Sequence, residues 1–208
     1  MLGDRQVSTM IWKLLRRARN IWWHIRELCN RIDAHLDAKL AKGELHLGRK
    51  VYFHSPVRVD GAGTVIVGDF SHLGYRQAPR LGDGEILLQA RQSNASISVG
   101  QRVWFSNNVT VVACLCITIG NDCLIGDGVA IFDSDFHEVA PGKRHASGGK
   151  VAKVSIGDNV WLGSRAMVLK GVVIGSGSVV APMSVVTANV PEKCIVAGSP
   201  ARVVRHLD

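Results

Sequence analysis

The strongest constraint in this 208-residue chain is a period of six. Val99, Phe105 and Val111 are spaced by six, as are Ile119, Ile125 and Ile131, and then Ile156, Leu162, Val168, Ile174, Val180 and Val186. All twelve positions are apolar, and the next residue is Gly at Gly100, Gly120, Gly126, Gly157, Gly163 and Gly175. An earlier stretch keeps the step through Leu47, Phe53, Val59 and Val65, then slips by two to Val67 and Leu73. A helix repeats every 3.6 residues and a plain strand every two, so neither makes this pattern. A short strand followed by a turn does, with the small residue letting the backbone bend there. Three such units close one triangular coil, and stacked coils bury a continuous aliphatic column. The expectation is a mainly β chain: a parallel β-helix over residues 44–196, ending in a tail at 197–208.

Two interruptions stand out. Residues 75–96 hold the frame only in part, with Leu81 and Leu87 in phase and Ser93 out of character. From Ile131 to Ile156 the step is 25, one more than four hexads, and Pro141, Gly142, Gly148 and Gly149 fall inside it. Residues 132–153 should therefore project as a loop, the usual place for chemistry on a rigid scaffold.

The first 43 residues follow a different rule. Ile11, Ala18, Ile25 and Ile32 recur every seven, with Leu14/Leu15, Ile21/Trp22, Leu28/Cys29 and Leu36 between them, which predicts an amphipathic helix. Ser8 or Thr9 can cap its start and Gly43 can end it. Of the net charge of +8, residues 1–42 contribute +5, from nine basic and four acidic side chains. Trp12, Trp22 and Trp23 stand beside Arg16, Arg17 and Arg19, the composition of an interfacial membrane anchor. The ordinary use of such a stripe is packing on the protein's own body or on a sister subunit. Nucleic acid is not an expected partner, because the rest of the chain supplies no basic face.

Other classes are excluded by composition. An apolar fraction of 47% excludes disorder, and five cysteines do not make a disulfide framework, so reduced thiols in a cytoplasmic protein are expected. No secretory signal is read at the start, since Asp4 comes early. The uncharged runs 103–121 and 171–191 are broken by Gly, Ser, Thr, Asn or Pro and are not read as membrane spans.

The loop opens Asp133-Ser134-Asp135-Phe136-His137-Glu138. A histidine among carboxylates can act as a general base with its ring held in place, and it can equally be an incidental side chain on a solvated acidic loop. The stretch from Trp104 to the C-terminus resembles the hexapeptide-repeat acyltransferases, especially their maltose, galactoside and polysaccharide O-acetyltransferase branch. Four blocks carry the resemblance: Asn107-Asn108-Val109-Thr110, Asp133-Ser134-Asp135-Phe136-His137, residues 156–164 (Ile-Gly-Asp-Asn-Val-Trp-Leu-Gly-Ser) and Ala197-Gly198-Ser199-Pro200-Ala201. The Asp-x-Asp-Phe-His form is similar to enzymes that acetylate bacterial surface polysaccharides.

The resemblance implies a left-handed β-helix, a homotrimer with sites between adjacent coils, and acetyl-CoA as acyl donor. It makes His137 the base that takes the acceptor hydroxyl's proton, with a backbone N–H near Gly163 and Ser164 for the oxyanion. Asp133 and Asp135 would orient His137 or bind the acceptor. Asn108 could bond a sugar hydroxyl or cap its own turn. Trp161, one residue before the inward Leu162, should point outward and could stack on the sugar or the pantetheine, or contact a subunit. Trp104 shares its phase. Gly163, Ser164 and Ala181 offer turn backbone to the pantetheine, Thr187 matches a turn residue there, and Arg202 and Arg205 match basic positions near the phosphates. The lysine that often follows is Ala188 here, so Arg165 or Lys170 could substitute.

No metal is expected. His54 and His72 are 18 residues apart with a slip between them, and Cys114, Cys116 and Cys123 are too close together for structural zinc. The function expected is acetyl transfer to a sugar hydroxyl, the acceptor being a carbohydrate unit of a bacterial surface polysaccharide. It would take place in the cytoplasm, with peripheral membrane contact through residues 8–42. The rivals are a serine- or antibiotic-type acetyltransferase and a non-catalytic β-helix scaffold.

Overall fold

A computed structural model describes residues 4–79, 81–145 and 148–208. The side chains of Ser8, Thr9, Ile11, Leu14, Arg16 and Arg19 lie outside the described residues.

Three parallel sheets form the faces of a prism. The first face runs from Glu44–Leu47 through Ser96–Val99 and Cys116–Ile119 to Val173–Ile174. The second runs from Tyr52–Phe53 through His72–Leu73, Trp104–Phe105, Leu124–Ile125 and Trp161–Leu162 to Val179–Val180. It ends in a hairpin of Cys194–Gly198 and Ala201–His206, the latter antiparallel. The third face runs from Val57–Asp60 through Ile86–Ala90, Thr110–Ala113 and Ala130–Phe132 to Val185–Val186. Every one of the twelve positions on the six-residue step points inward, at 4% exposure or less. Such a column removes aliphatic surface from water coil after coil, at about 25 cal/mol per Å2.

Three expectations need correction. The glycines after the inward residues do not make the bends: at one corner the left-handed residues are Arg102, Asp122 and Asn159, with φ of 55°, 59° and 53°. Gly120 is needed for stacking instead, because a Cβ there would lie 2.6 Å from the carbonyl carbon of Gly157 in the next coil. The chain also returns from the first interruption one residue out of the expected frame. Ile86, Leu88 and Ala90 are fully buried, Leu87 faces outward, and Leu81 is 66% exposed. Finally, the helix spans Asp4–Leu40, so Ser8 and Thr9 fall inside it rather than at its cap. Its C-terminus closes with Lys42 at φ 61°, while the Gly43 N–H reaches back to Ala38 O at 2.9 Å.

Candidate active site

The loop between Ala130–Phe132 and Val154–Ile156 leaves the corner between the third and first faces. Its base is closed by Ala152 N–H to Asp133 O (2.9 Å), Asp135 N–H to Lys150 O (3.0 Å) and an antiparallel bridge between Ser134 and Val151. Asp133 is fully buried. Its Oδ1 accepts from Cys114 N–H at 2.7 Å, and its Oδ2 accepts from Leu115 and Cys116 N–H at 2.8 Å each. The expectation that Asp133 orients His137 or binds the acceptor is corrected: it is fully buried, and both its carboxylate oxygens are engaged by amides of the preceding corner. Ser134 Oγ then accepts from Phe136 N–H (2.9 Å), and Asp135 pairs with Lys170 Nζ at 2.5 Å. Lys170 is therefore engaged in fastening the loop to the coil below, which corrects its reading as a phosphate cation.

These ties converge on His137. Phe136 is held at φ 61°, a costly conformation for a residue with a side chain. Its ring packs edge-on against Phe132, and the Arg91 guanidinium lies 4.5 Å from its centroid. His137 is exposed, and its Nδ1 lies 3.1 Å from Arg144 O. A carbonyl can only accept, so Nδ1 carries the proton and Nε2 is left as the acceptor, the arrangement a general base needs. Gly149 makes room: a Cβ there would lie 2.3 Å from His137 O and 2.6 Å from Asp135 Cβ. Arg144 and Gly149 were missed by sequence reasoning. The glycine was visible only as a loop-former, and a backbone carbonyl leaves no signature in residue type.

On the second face, Trp104, Leu124 and Trp161 stand in register on successive coils, 41%, 49% and 51% exposed. Trp161 thus points outward as alternation requires. With Tyr75, Ser106 and Gly126 they line a largely apolar slot of about 210 Å3. The His72 ring stacks on Trp104 with centroids 3.7 Å apart, fixing one wall. None of the described residues of 133–153 lines this slot, so within one chain His137 and Trp161 do not share it.

The expected cofactor residues divide. Gly163 N–H donates to Val180 O (2.8 Å) and Ala181 N–H to Val196 O (2.9 Å), so neither is available to a ligand. Among the described residues no acceptor takes the Ser164 N–H. Gly163 is a stacking position, where a Cβ would lie 2.6 Å from Pro182 N. Ser164 and Thr187 are exposed, as are Arg202 and Arg205 on the last strand; neither arginine is in an ion pair among the described residues. Asn108 is a corner residue at φ 61°, its amide donating to Asp127 Oδ1 (2.6 Å) and Pro79 O (3.3 Å). Its amide is thus spent on neighbouring segments, neither of them its own turn. The adjacent Asn107, fully buried, donates to Tyr75, Ala78 and Pro79 carbonyls at 3.0–3.2 Å and accepts from Ser55 Oγ and Tyr75 N–H.

His54 and His72 do meet, Nε2 to Nδ1 at 3.0 Å, despite the slip between their coils. No group of three or more His, Cys, Asp or Glu side chains suited to a metal occurs among the described residues. Cys123 is buried, and burial pushes its thiol up to about 11, the state of an inert core group.

Residues 153–188 match the family model for bacterial transferase hexapeptide (six repeats). The chain is 32% identical over 114 residues to galactoside O-acetyltransferase of Escherichia coli (strain K12), covering 55% of this chain and 56% of that one. It is also 32% identical over 135 residues to a Staphylococcus aureus (strain MRSA252) protein assigned as an acetyltransferase, covering 59% and 67%. A solved hexapeptide-repeat acetyltransferase of Vibrio cholerae O1 biovar eltor, complexed with acetyl coenzyme A, superposes with a TM-score of 0.55 at 26% identity, covering 83% and 75%. The chain belongs to the hexapeptide-repeat acetyltransferase family, and its prism is the left-handed β-helix of that family. It spans little more than half the length of the first curated relatives it matches.

Proposed function

We propose that this chain transfers acetyl from acetyl-CoA to a hydroxyl of a sugar. The observation that carries the reading is His137, with Nδ1 committed to Arg144 O and Nε2 left to accept on an exposed, tightly built loop. His137 Nε2 takes the acceptor hydroxyl's proton as its oxygen bonds to the thioester carbonyl carbon. The Ser164 N–H donates to the oxygen that becomes anionic. The carbon–sulfur bond then breaks, the imidazolium returns its proton to the thiolate, and the products are the acetyl ester and CoA. Arg202 and Arg205 supply the cations for the phosphorylated adenosine end, with Thr187 beside the pantetheine. Trp161 walls the slot, where its ring can stack on the acceptor sugar or the pantetheine.

The separation of His137 from the Trp161 face supports a homotrimer, in which the loop of one copy completes the slot of the next. Asp135 acts through the loop, since its carboxylate is paired with Lys170. The Asp133-to-His137 block, together with the galactoside-acetylating relative, supports a carbohydrate acceptor belonging to a bacterial surface polysaccharide. Such chemistry belongs on the cytoplasmic side, where acetyl-CoA is found, with residues 8–42 as a peripheral contact to the inner membrane face.

CoA release tests the reading, using wild type and His137→Ala against free sugars, nucleotide sugars and polysaccharide fragments. Acceptor-dependent release that disappears in the variant is the expected result. Absence of release with every acceptor, together with no acetyl-CoA binding by calorimetry, would leave the coils as a scaffold.

A further inference from the structure

The helix Asp4–Leu40 has two apolar sides, and the coils cover only one of them. Successive residues turn by about 100°. Asn30, Ala34 and Ala38 fall on one side and are buried against the coils, where Asn30 Nδ2 donates to Phe53 O at 3.2 Å. Ile21, Ile25, Leu28, Ile32 and Leu36 fall on the opposite side, and each is 49–61% exposed. The stripe that the heptad spacing singles out is thus not the face that packs on the body. Small residues dock the helix, and the large aliphatics are turned outward.

We propose that this outward stripe docks into the interfacial region of an anionic lipid bilayer, with the helix lying along the surface. The proposal extends the peripheral-contact part of the functional reading and is independent of the acyl-transfer chemistry. No described helix is long and apolar enough to cross a membrane, so an in-plane geometry is the one available to a lipid-bound helix. Charge then selects the lipid. Arg17 and Arg31 follow one edge of the stripe, Lys39 closes its C-terminal end seven residues after Ile32, and Arg26 follows the other edge, which it shares with Asp33. The segment as a whole carries five net positive charges, the sign that anionic headgroups attract. Trp22, 52% exposed with the Arg26 guanidinium 5.5 Å from its ring centroid, places an amphipathic ring at that edge.

A second copy of the helix fits less well. A parallel coiled-coil seam would use Ile25 and Ile32 with Ile21 and Leu28. It would leave Trp22 and Leu36 outside the seam and set them against Arg17 and Arg31 of the partner helix, with no opposite charge to pair.

Flotation of the full-length protein decides the matter, using vesicles of phosphatidylcholine alone and of phosphatidylethanolamine with phosphatidylglycerol. Binding to the second alone is expected. It should weaken with added salt and fall on the order of tenfold in Ile25→Glu/Ile32→Glu. Circular dichroism and CoA release should stay as in wild type, because both isoleucines are exposed and remote from the loop. If wild type floats with neither vesicle, the peripheral contact and the stripe assignment both fail. If the double variant floats as well as wild type, the contact stands but the stripe is not its surface. Equal flotation with both vesicles removes the charge argument. A loss of assembly mass by sedimentation in the double variant, with no flotation of wild type, assigns the stripe to contact between copies and overturns the proposal.

Discussion

The described residues of 74–85 and of 133–153 both leave the path of the coils, and a fully buried polar side chain pins each segment. Asn107 spends its amide on the chain at Tyr75, Ala78 and Pro79, tying the start of the first excursion to the coils. Asp133 does the reciprocal job for the second, since it lies in the excursion and accepts from three amides of the coil before it. Beyond the anchor the two differ. The first contributes Tyr75 to the rim of the slot. The second carries a left-handed Phe136, a glycine with no room for a methyl group, and an exposed histidine. Burial of a polar group therefore marks how a loop is fastened, and the reactive group is found where the fastened chain is strained and open.

Substitutions can break this contrast, and the largest expected effect is on chemistry. His137→Ala should lower acceptor-dependent CoA release by about 10²–10⁴-fold while leaving the melting temperature unchanged. Asp133→Asn should do the opposite first. It puts an NH2 group against buried N–H donors and should cost about 2–4 kcal/mol, read by chemical denaturation. Loss of activity without loss of stability in that variant would restore Asp133 to the chemistry. Gly149→Ala sharpens the comparison, because its Cβ would strike His137 O rather than the core. It should lower kcat on the order of tenfold, following the loss from misplaced catalytic groups, with a near-wild-type melting curve.

Lys170→Met should be milder in stability. The pair with Asp135 is partly exposed (27% and 29%), so about 1 kcal/mol or less is expected, with a lower kcat and unchanged acetyl-CoA affinity.

The smallest effect is one of pH. Burial, then the neighbouring His54, holds His72 below its ordinary 6.5, with Glu27 opposing. The unfolded chain binds a proton near pH 6.5 that the folded chain declines, so stability falls as pH drops through the window just below that value. The melting temperature should be lower at pH 5 than at pH 7.5, and His72→Gln should flatten that slope.

Much of the fold was legible because the coil is its own partner. Ile125, Leu162 and Val180 stand at fixed steps, and the step alone says they face one interior. Legibility failed where a contact crossed coils. Asp133 and Asp135 look alike in sequence, yet one caps a corner 17–19 residues away and the other reaches Lys170 on a later coil. Asn108 left two readings open for the same reason, since only the positions of Asp127 and Pro79 commit its amide. Gly163 offers its turn backbone to a ligand as far as local sequence goes, because the next coil's carbonyl at Val180, which takes its N–H, leaves no trace there.

The period of six, the projecting loop, the outward Trp161 and the basic amphipathic helix were determined by the sequence alone. Each follows from the spacing of apolar side chains along one segment, which backbone geometry converts directly into a face. Tertiary structure alone decided which carboxylate is an anchor, which amide is spent, how the His137 ring is held, and which side of the helix meets the coils. Those outcomes depend on distances between segments remote in sequence, where a hydrogen bond made at 2.8 Å is absent a few ångströms further out.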